Sequence, residues 1–199
     1  MMTLEEAYRL GSRTLEEAGI PDAGTDAWIL LEHVTGVSRT RYYVNPRQSL
    51  SEEEEGRYRS YIEKRMKRIP VQHLTGVQEF MGLEFLVNEH VLIPRQDTEV
   101  LVETVWKDLE PGMRVLDMCT GSGCILISLM KRMQSVSGED EILGVGADLS
   151  REALQVAEAN ASRQHVGAVF VESDLFEKVE GRYDIIVSNP PYIRTSVIR

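Results

Sequence analysis

From Arg114 to Asn189 the chain repeats one pattern: a short apolar run, then an amphipathic stretch, then another apolar run. RVLDM (114–118), ILGVGAD (142–148), AVFVESD (168–174) and YDIIVSN (183–189) read as strands. GCILISLMKRM (123–133) and SREALQVAEANASRQ (150–164) read as helices between them. Strands buried on both faces are apolar throughout, and alternation with helices forces parallel crossovers, so the pattern predicts a parallel, doubly wound sheet with helices on both faces. The polar stretch QSVSGEDE (134–141) reads as a loop.

The residues before this repeat have a different period. Residues 3–68 read as four helices. TLEEAYRLGSRTLEEAG opens on Thr3 with Glu6 three residues later, a capping-box spacing, and stops at Gly19. A second helix ends near Gly36 and a short third is closed by Pro46. The fourth, SEEEEGRYRSYIEKRMKR, carries acids in its first turn and bases in its last, which suits the helix dipole. Its Glu52–Glu55 run reads as a solvated helix start, and Lys64–Arg68 as dipole compensation, with contact to a partner as the alternative. After Pro70, QEFMGLEFLVN (78–88) alternates around Met81-Gly82 and predicts a hairpin. VLIPRQDTEVLVETVWKDL (91–109) reads as a strand end, a Pro-Arg turn and a helix starting near Asp97 and Thr98. The expected division is 1–70 helical domain, 71–96 hairpin linker and 97–199 α/β domain: an N-terminal helical bundle followed by a partial Rossmann-like sheet.

Composition narrows the partners. The 199 residues carry 32 acids against 22 Lys and Arg, for a net charge of −10. A protein that lives by phosphate contacts presents a basic face, so direct nucleic-acid binding is not expected. No apolar run is long enough to span a bilayer, and MMTLEEAYRL has no apolar signal region, so a cytoplasmic chain is expected. The two cysteines, Cys119 and Cys124, fit neither a zinc spacing nor a disulfide framework, and no metal is called for. The oligomeric state is not legible.

Three acids stand at the ends of successive strands: Asp117, Asp148 and Asp174. Ligands bind at the carboxyl edge of such sheets, and an acid ending the second strand can accept both hydroxyls of a ribose. Between Asp117 and the first helix lies Cys119-Thr120-Gly121-Ser122-Gly123, where glycine allows close backbone approach and a helix N-terminus offers N–H groups. The loop lacks the G-x-G-x-x-G of dinucleotide folds and the Lys of a P-loop. An acid at its mouth favours a ligand with a cationic or zwitterionic end, such as S-adenosylmethionine. The fourth strand exits through Ser188-Asn189-Pro190-Pro191-Tyr192. Asn189 can offer a side-chain carbonyl and Pro190 a backbone carbonyl, two acceptors for a group with two N–H bonds. Proline fixes φ and so places those acceptors in advance, while Tyr192 would wall one side of a planar group.

LDMCTGSG, ADLS, SDLF and SNPPY, in this order and spacing, resemble a class I S-adenosylmethionine-dependent methyltransferase. Residues 68–103, RIPVQHLTGVQEFMGLEFLVNEHVLIPRQDTEVLVE, extend the likeness to the protein-(glutamine-N5) methyltransferases that modify peptide chain release factors, the PrmC or HemK type. The resemblance covers essentially the whole chain. It implies that Cys119–Gly123 cradle the methionine end of the cofactor, with Asp117 at the mouth of that loop. Asp148 would hold the ribose, Asp174 and Leu175 border the adenine, and Asn189–Tyr192 present the substrate glutamine, that of the release factor's Gly-Gly-Gln loop. It also implies that the helical domain grips the protein substrate. Asn189, Pro190 and Tyr192 are the catalytic candidates; Asn189 also touches the cofactor side. Two departures are visible: Gln96 replaces the proline usual after Pro94-Arg95, and Leu175 stands where some members have an aromatic. Members of the family continue beyond this length, so a chain truncated at its C-terminus is expected, with an exposed apolar edge at YDIIVSN. Ribosomal-protein glutamine methylation, N6-adenine methylation of nucleic acid, and an inactive fragment or non-enzymatic adaptor remain open alternatives.

Overall fold

The computed structural model describes residues 1–137 and 142–191, the side chain of Ser137 excepted, and the chain divides into two compact units, Met1–Gly76 and Val77–Arg199. The first unit is helical: α1 Leu4–Glu17, α2 Ala23–Thr35, α3 Arg39–Val44, α4 Glu52–Met66 and α5 Val71–Thr75. Both capping boxes form, Thr3 with Glu6 and Ser51 with Glu54. The short α5 follows Pro70 and is one helix more than the periodicity predicts; a single turn is too short to show a period.

Leu4, Ala7 and Leu15 of α1 share a face and are buried with Ala27, Leu30 and Leu31 of α2 and Tyr58 of α4. Gly11 lets α4 approach α1, because a Cβ there would sit 2.0 Å from the Tyr58 hydroxyl oxygen. That hydroxyl donates to the Ala27 carbonyl at 3.3 Å. The basic cluster at the end of α4 reaches beyond its own dipole. Arg65 pairs with the buried Asp26 at 2.7 Å, and Arg68 donates to the Gly19 and Ala18 carbonyls that follow α1. The Glu52–Glu55 run is likewise not merely solvated, since Glu55 accepts from the Met2 N–H and pairs with Arg59.

The second unit opens with an antiparallel hairpin, β1 Val77–Phe80 and β2 Leu83–Leu86, with Phe80 opposite Leu83. Met81 and Gly82 both have positive φ (53° and 71°), the backbone of a two-residue primed turn. Residues 91–93 form no strand; the chain runs irregularly into α6, Gln96–Trp106. Then follow β3 Arg114–Met118, α7 Cys124–Ser137, β4 Leu143–Asp148, α8 Arg151–Gln164, β5 Val169–Glu172 and β6 Ile185–Ser188. The sheet order is β5-β4-β3-β6, all parallel. α7 runs four residues further than its apolar stripe suggests, taking in Gln134–Ser137, while 138–141 of the expected loop lie outside the described residues.

Side chains alternate across the sheet. Val115 and Val187 face a core filled by Leu126, Ile127, Leu129 and Met130 of α7, Val102 of α6, Ala161 of α8, and the hairpin's Phe80 and Phe85. Each such aliphatic side chain contributes roughly 1.5–3 kcal/mol by burial. Leu116, Met118 and Ala147 face the other way, against Val179 and Tyr183. Among the described residues, therefore, helices cover one face of the sheet rather than both. β6 has a paired neighbour on one side only, with Ile186 exposed.

Candidate active site

The strand registers bring the sequence candidates to one edge of the sheet. Met118 lies opposite Ala147 and Ser188, and Asp148 opposite Glu172, so the loops after β3, β4, β5 and β6 all leave from the same side. Hydrogen bonds tie these exits together. The Ser188 hydroxyl donates to the Met118 carbonyl at 2.7 Å, the Thr120 N–H to the Ala147 carbonyl at 3.0 Å, and the Ser173 N–H to the Asp148 carbonyl at 3.0 Å.

The three acids occupy different environments. Asp117, the penultimate residue of β3, is fully buried; Thr120 Oγ1 donates to its Oδ2 at 2.7 Å, while Oδ1 has no partner. Burial pushes its carboxyl up to about 7, with the Thr120 bond and the nearby Leu126 N–H opposing and Asp148 adding to the rise. Asp148 ends β4 half-buried. Its Oδ2 accepts the Gly121 N–H at 2.9 Å and its Oδ1 the Ser150 N–H at 3.0 Å, so it joins the glycine loop to the start of α8. Each carboxylate oxygen keeps acceptor capacity beyond one such bond. Ser150 itself caps α8. Asp174 is exposed, two residues beyond the end of β5.

The glycine loop is held by its own amides. Besides Thr120 and Gly121, the Gly123 N–H donates to the Thr120 carbonyl at 2.9 Å, so three N–H groups that the sequence leaves free for a ligand shape the loop instead. Cys119, Gly121 and Gly123 all have positive φ. At Gly123 a Cβ would stand 2.8 Å from Ile127 Cδ1 and 3.2 Å from Ala157 Cβ, whereas at Gly121 the space is open. Gly123 thus serves helix packing and Gly121 keeps the approach clear. Ser122 Oγ is buried without a partner. The thiols are not nucleophiles at neutral pH: burial raises both, Cys124 to about 12, with Asp148 adding at Cys119 and Asp117 at Cys124.

After β5, Ser173 donates through Oγ to the Leu175 carbonyl at 2.8 Å and accepts the Lys178 N–H at 2.9 Å, which holds Leu175 at φ 47°. Leu175 and Phe176 stay more than half exposed, as does Leu149, which directly follows Asp148. After β6, Asn189 is half-buried and its Nδ2 donates to Thr98 Oγ1 at 3.1 Å; Pro190 and Pro191 are exposed. Tyr192 lies outside the described residues.

Several residues of this edge are absent from the sequence candidates. Leu149 had a local signal, an apolar residue where a strand exits after an acid. Ser188 stood in the SNPPY stretch without a role of its own, and Thr98 and Asn160 had no signal. Asn160 of α8 is fully buried; its Oδ1 accepts the Leu86 N–H at 2.7 Å, and its Nδ2 donates to the Leu86 carbonyl at 3.0 Å and the Ser122 carbonyl at 2.9 Å. One side chain thereby joins the hairpin to the glycine loop.

A parallel sheet with a glycine turn after its first strand and an acid ending its second is the frame of a methyltransferase domain, and residues 95–198 match the methyltransferase small domain. Residues 6–76 match the PrmC N-terminal domain. The chain is 39% identical over 194 residues to the release factor glutamine methyltransferase of Agrobacterium fabrum, covering 94% of this chain and 65% of that protein. Against the enzymes of the same description from Koribacter versatilis and Leptospira interrogans it is 40% and 41% identical, over 96% and 92% of this chain and 68% and 64% of theirs. The chain belongs to the release factor glutamine methyltransferase family. It spans about two thirds of the length of these relatives, 64–68%. Among the described residues no helix is long and apolar enough to cross a membrane, and no group of His, Cys, Asp and Glu could hold a metal ion.

Proposed function

We propose that the protein transfers a methyl group from S-adenosylmethionine to the N5 amide of a glutamine in a peptide chain release factor, the Gly-Gly-Gln glutamine that the sequence resemblance implies. The observation that carries this reading is the common edge: the Asn189-Pro190 exit from β6 leaves the sheet beside the Gly121–Asp148 junction, with Ser188 bonded across to Met118.

The residues at this edge fit the cofactor. Asp117 Oδ1, a buried acceptor without a partner, suits an ammonium group, and the buried Ser122 hydroxyl without a partner suits the other polar end of a methionine moiety. Asp148 retains acceptor capacity for ribose hydroxyls, and the exposed Leu149, Leu175 and Phe176 offer apolar surface for a purine. Gly121, with open space where a Cβ would be, allows close approach. When bound, the cofactor supplies an electrophilic methyl on a sulfonium, so no metal is needed.

The chain's own task is to hold a poor nucleophile. An amide nitrogen has its lone pair delocalised into the carbonyl, so its NH2 must be gripped and aimed. Asn189 Oδ1 and the Pro190 carbonyl supply two acceptors for the two N–H bonds, and the two prolines keep them in place without ordering at reaction time. As the nitrogen gains its methyl those N–H groups become more acidic, so both bonds strengthen toward the transition state, and one N–H proton then leaves past its acceptor to water. Tyr192 would flank the planar amide. The helical unit is assigned to gripping the release factor.

Labelled-methyl transfer from the full chain onto release factor, ribosomal proteins and DNA in parallel tests the reading. Incorporation into release factor alone is expected, lowered about a hundredfold by Asn189→Ala with cofactor binding retained. Incorporation into DNA or ribosomal protein alone overturns it.

A further inference from the structure

We infer that Thr98 is a positioning residue for Asn189, holding the inner end of its carboxamide so that Oδ1 remains the free end, turned to the substrate amide. The inference rests on the methyl-transfer reading above. Thr98 lies in the first turn of α6, is 8% exposed, and is separated from Asn189 by 91 positions in sequence. Its N–H donates to the Arg95 carbonyl at 2.9 Å, which seats it in the turn. Asn189 follows a strand tied to β3 through Ser188, so its backbone is fixed from one side and its side chain from the other.

A carboxamide has one donating and one accepting end of nearly equal size. Only one arrangement is useful here: a substrate NH2 needs an acceptor, and an Asn189 NH2 turned toward it would set donor against donor. With Nδ2 engaged by Thr98 Oγ1, the donating end is satisfied inside the protein and the accepting end is left over. Without that partner the side chain loses its anchor and the half-buried NH2 its hydrogen bond. The cost falls on the transition state, where the acceptor bond to the reacting N–H is strongest, so kcat should drop while KM for the cofactor stays put.

The experiment compares wild type, Thr98→Val, which keeps the branched shape and removes the acceptor, and Thr98→Ser, which keeps the acceptor. For the full chain with release factor, Thr98→Val should lower kcat about tenfold, the equivalent of one lost hydrogen bond. Thr98→Ser should stay within about twofold. In an Asn189→Ala background Thr98→Val should cause no further loss, because the anchor has nothing left to hold. A second readout does not need activity. The Asn189 side-chain NH2 signals in a ¹⁵N correlation spectrum, identified by their disappearance in Asn189→Ala, should shift and broaden in Thr98→Val and remain in Thr98→Ser. An unchanged kcat in Thr98→Val, a full additional loss in the double variant, or NH2 signals that do not move would overturn the inference. Wild type without glutamine methylation would overturn the methyl-transfer reading instead, and the NH2 signals would still decide whether Thr98 holds Asn189.

Discussion

Asn160 offers the sharpest test of how the second unit is held together. Replacing it with alanine removes three hydrogen bonds at once, of 2.7, 3.0 and 2.9 Å, from a residue with no solvent exposure. The Ser122 carbonyl loses its partner in a buried setting, which costs about 1–3 kcal/mol. The Leu86 N–H and carbonyl are half-buried, so water recovers part of their loss and about 1 kcal/mol each is left. The second unit should therefore lose about 3–5 kcal/mol, before any cavity contribution. Gln164 of the same helix supplies the control, since its Nε2 donates to the Glu84 carbonyl at 2.8 Å on the exposed surface. Gln164→Ala should cost less than about 1 kcal/mol. Each unit holds one tryptophan, Trp28 in the first and Trp106 in the second. A Trp28→Phe background lets Trp106 fluorescence follow urea unfolding of the second unit alone. Hydrogen exchange at Leu86 should accelerate in Asn160→Ala and not in Gln164→Ala. Equal urea midpoints for Asn160→Ala and Gln164→Ala, with Leu86 exchange unchanged, would refute the clamp.

Other outcomes follow from particular side chains. Asp117 titrates near 7 when folded against an ordinary 3.8, because burial favours its neutral form. Its contribution to stability is whole below pH 3.8 and is lost as pH rises through about 7, a cost of roughly 4 kcal/mol. Asp117→Asn should thus gain on wild type between pH 4 and 7 and hold a constant lead above that, as measured by urea midpoints across pH. Asp26→Ala strands Arg65 in a mostly buried position and should cost the first unit about 3 kcal/mol, read by Trp28 fluorescence with the second unit unmoved. Gly123→Ala should destabilise through its contact with Ile127 and its positive φ. Gly121→Ala, which meets nothing, should cost only about 1 kcal/mol of stability, from its φ. It should weaken S-adenosylmethionine binding by calorimetry all the same.

What could be read from sequence was local. The capping boxes at Thr3 and Ser51, the Met81-Gly82 turn and the strand-helix alternation after Arg114 each depend on neighbours a few residues apart. Periodicity reports that range well. It had no purchase on the single turn of α5. It also stopped α7 too early, because Gln134 and Ser135 break the apolar stripe without breaking the helix. The one-sided covering of the sheet depends on which face each crossover takes. The contacts that organise the site are long-range, Thr98 with Asn189 and Asn160 with Leu86, as is the Arg65–Asp26 pair within the helical unit. Nothing in a polar residue on a helix declares which distant backbone it will satisfy. The three acids look alike in sequence, yet one is buried and shifted, one bridges two loops and one is exposed.

The central claim is that the Asn189-Pro190 exit presents a glutamine amide at a cofactor edge built by Gly121 and Asp148. Mass spectrometry of release factor peptides after incubation with the full chain and S-adenosylmethionine tests it most directly. One added methyl on the glutamine of the Gly-Gly-Gln loop, cut about a hundredfold in initial rate by Asn189→Ala, is the expected result. A methyl found on any other residue, or one that persists undiminished in Asn189→Ala, contradicts the account.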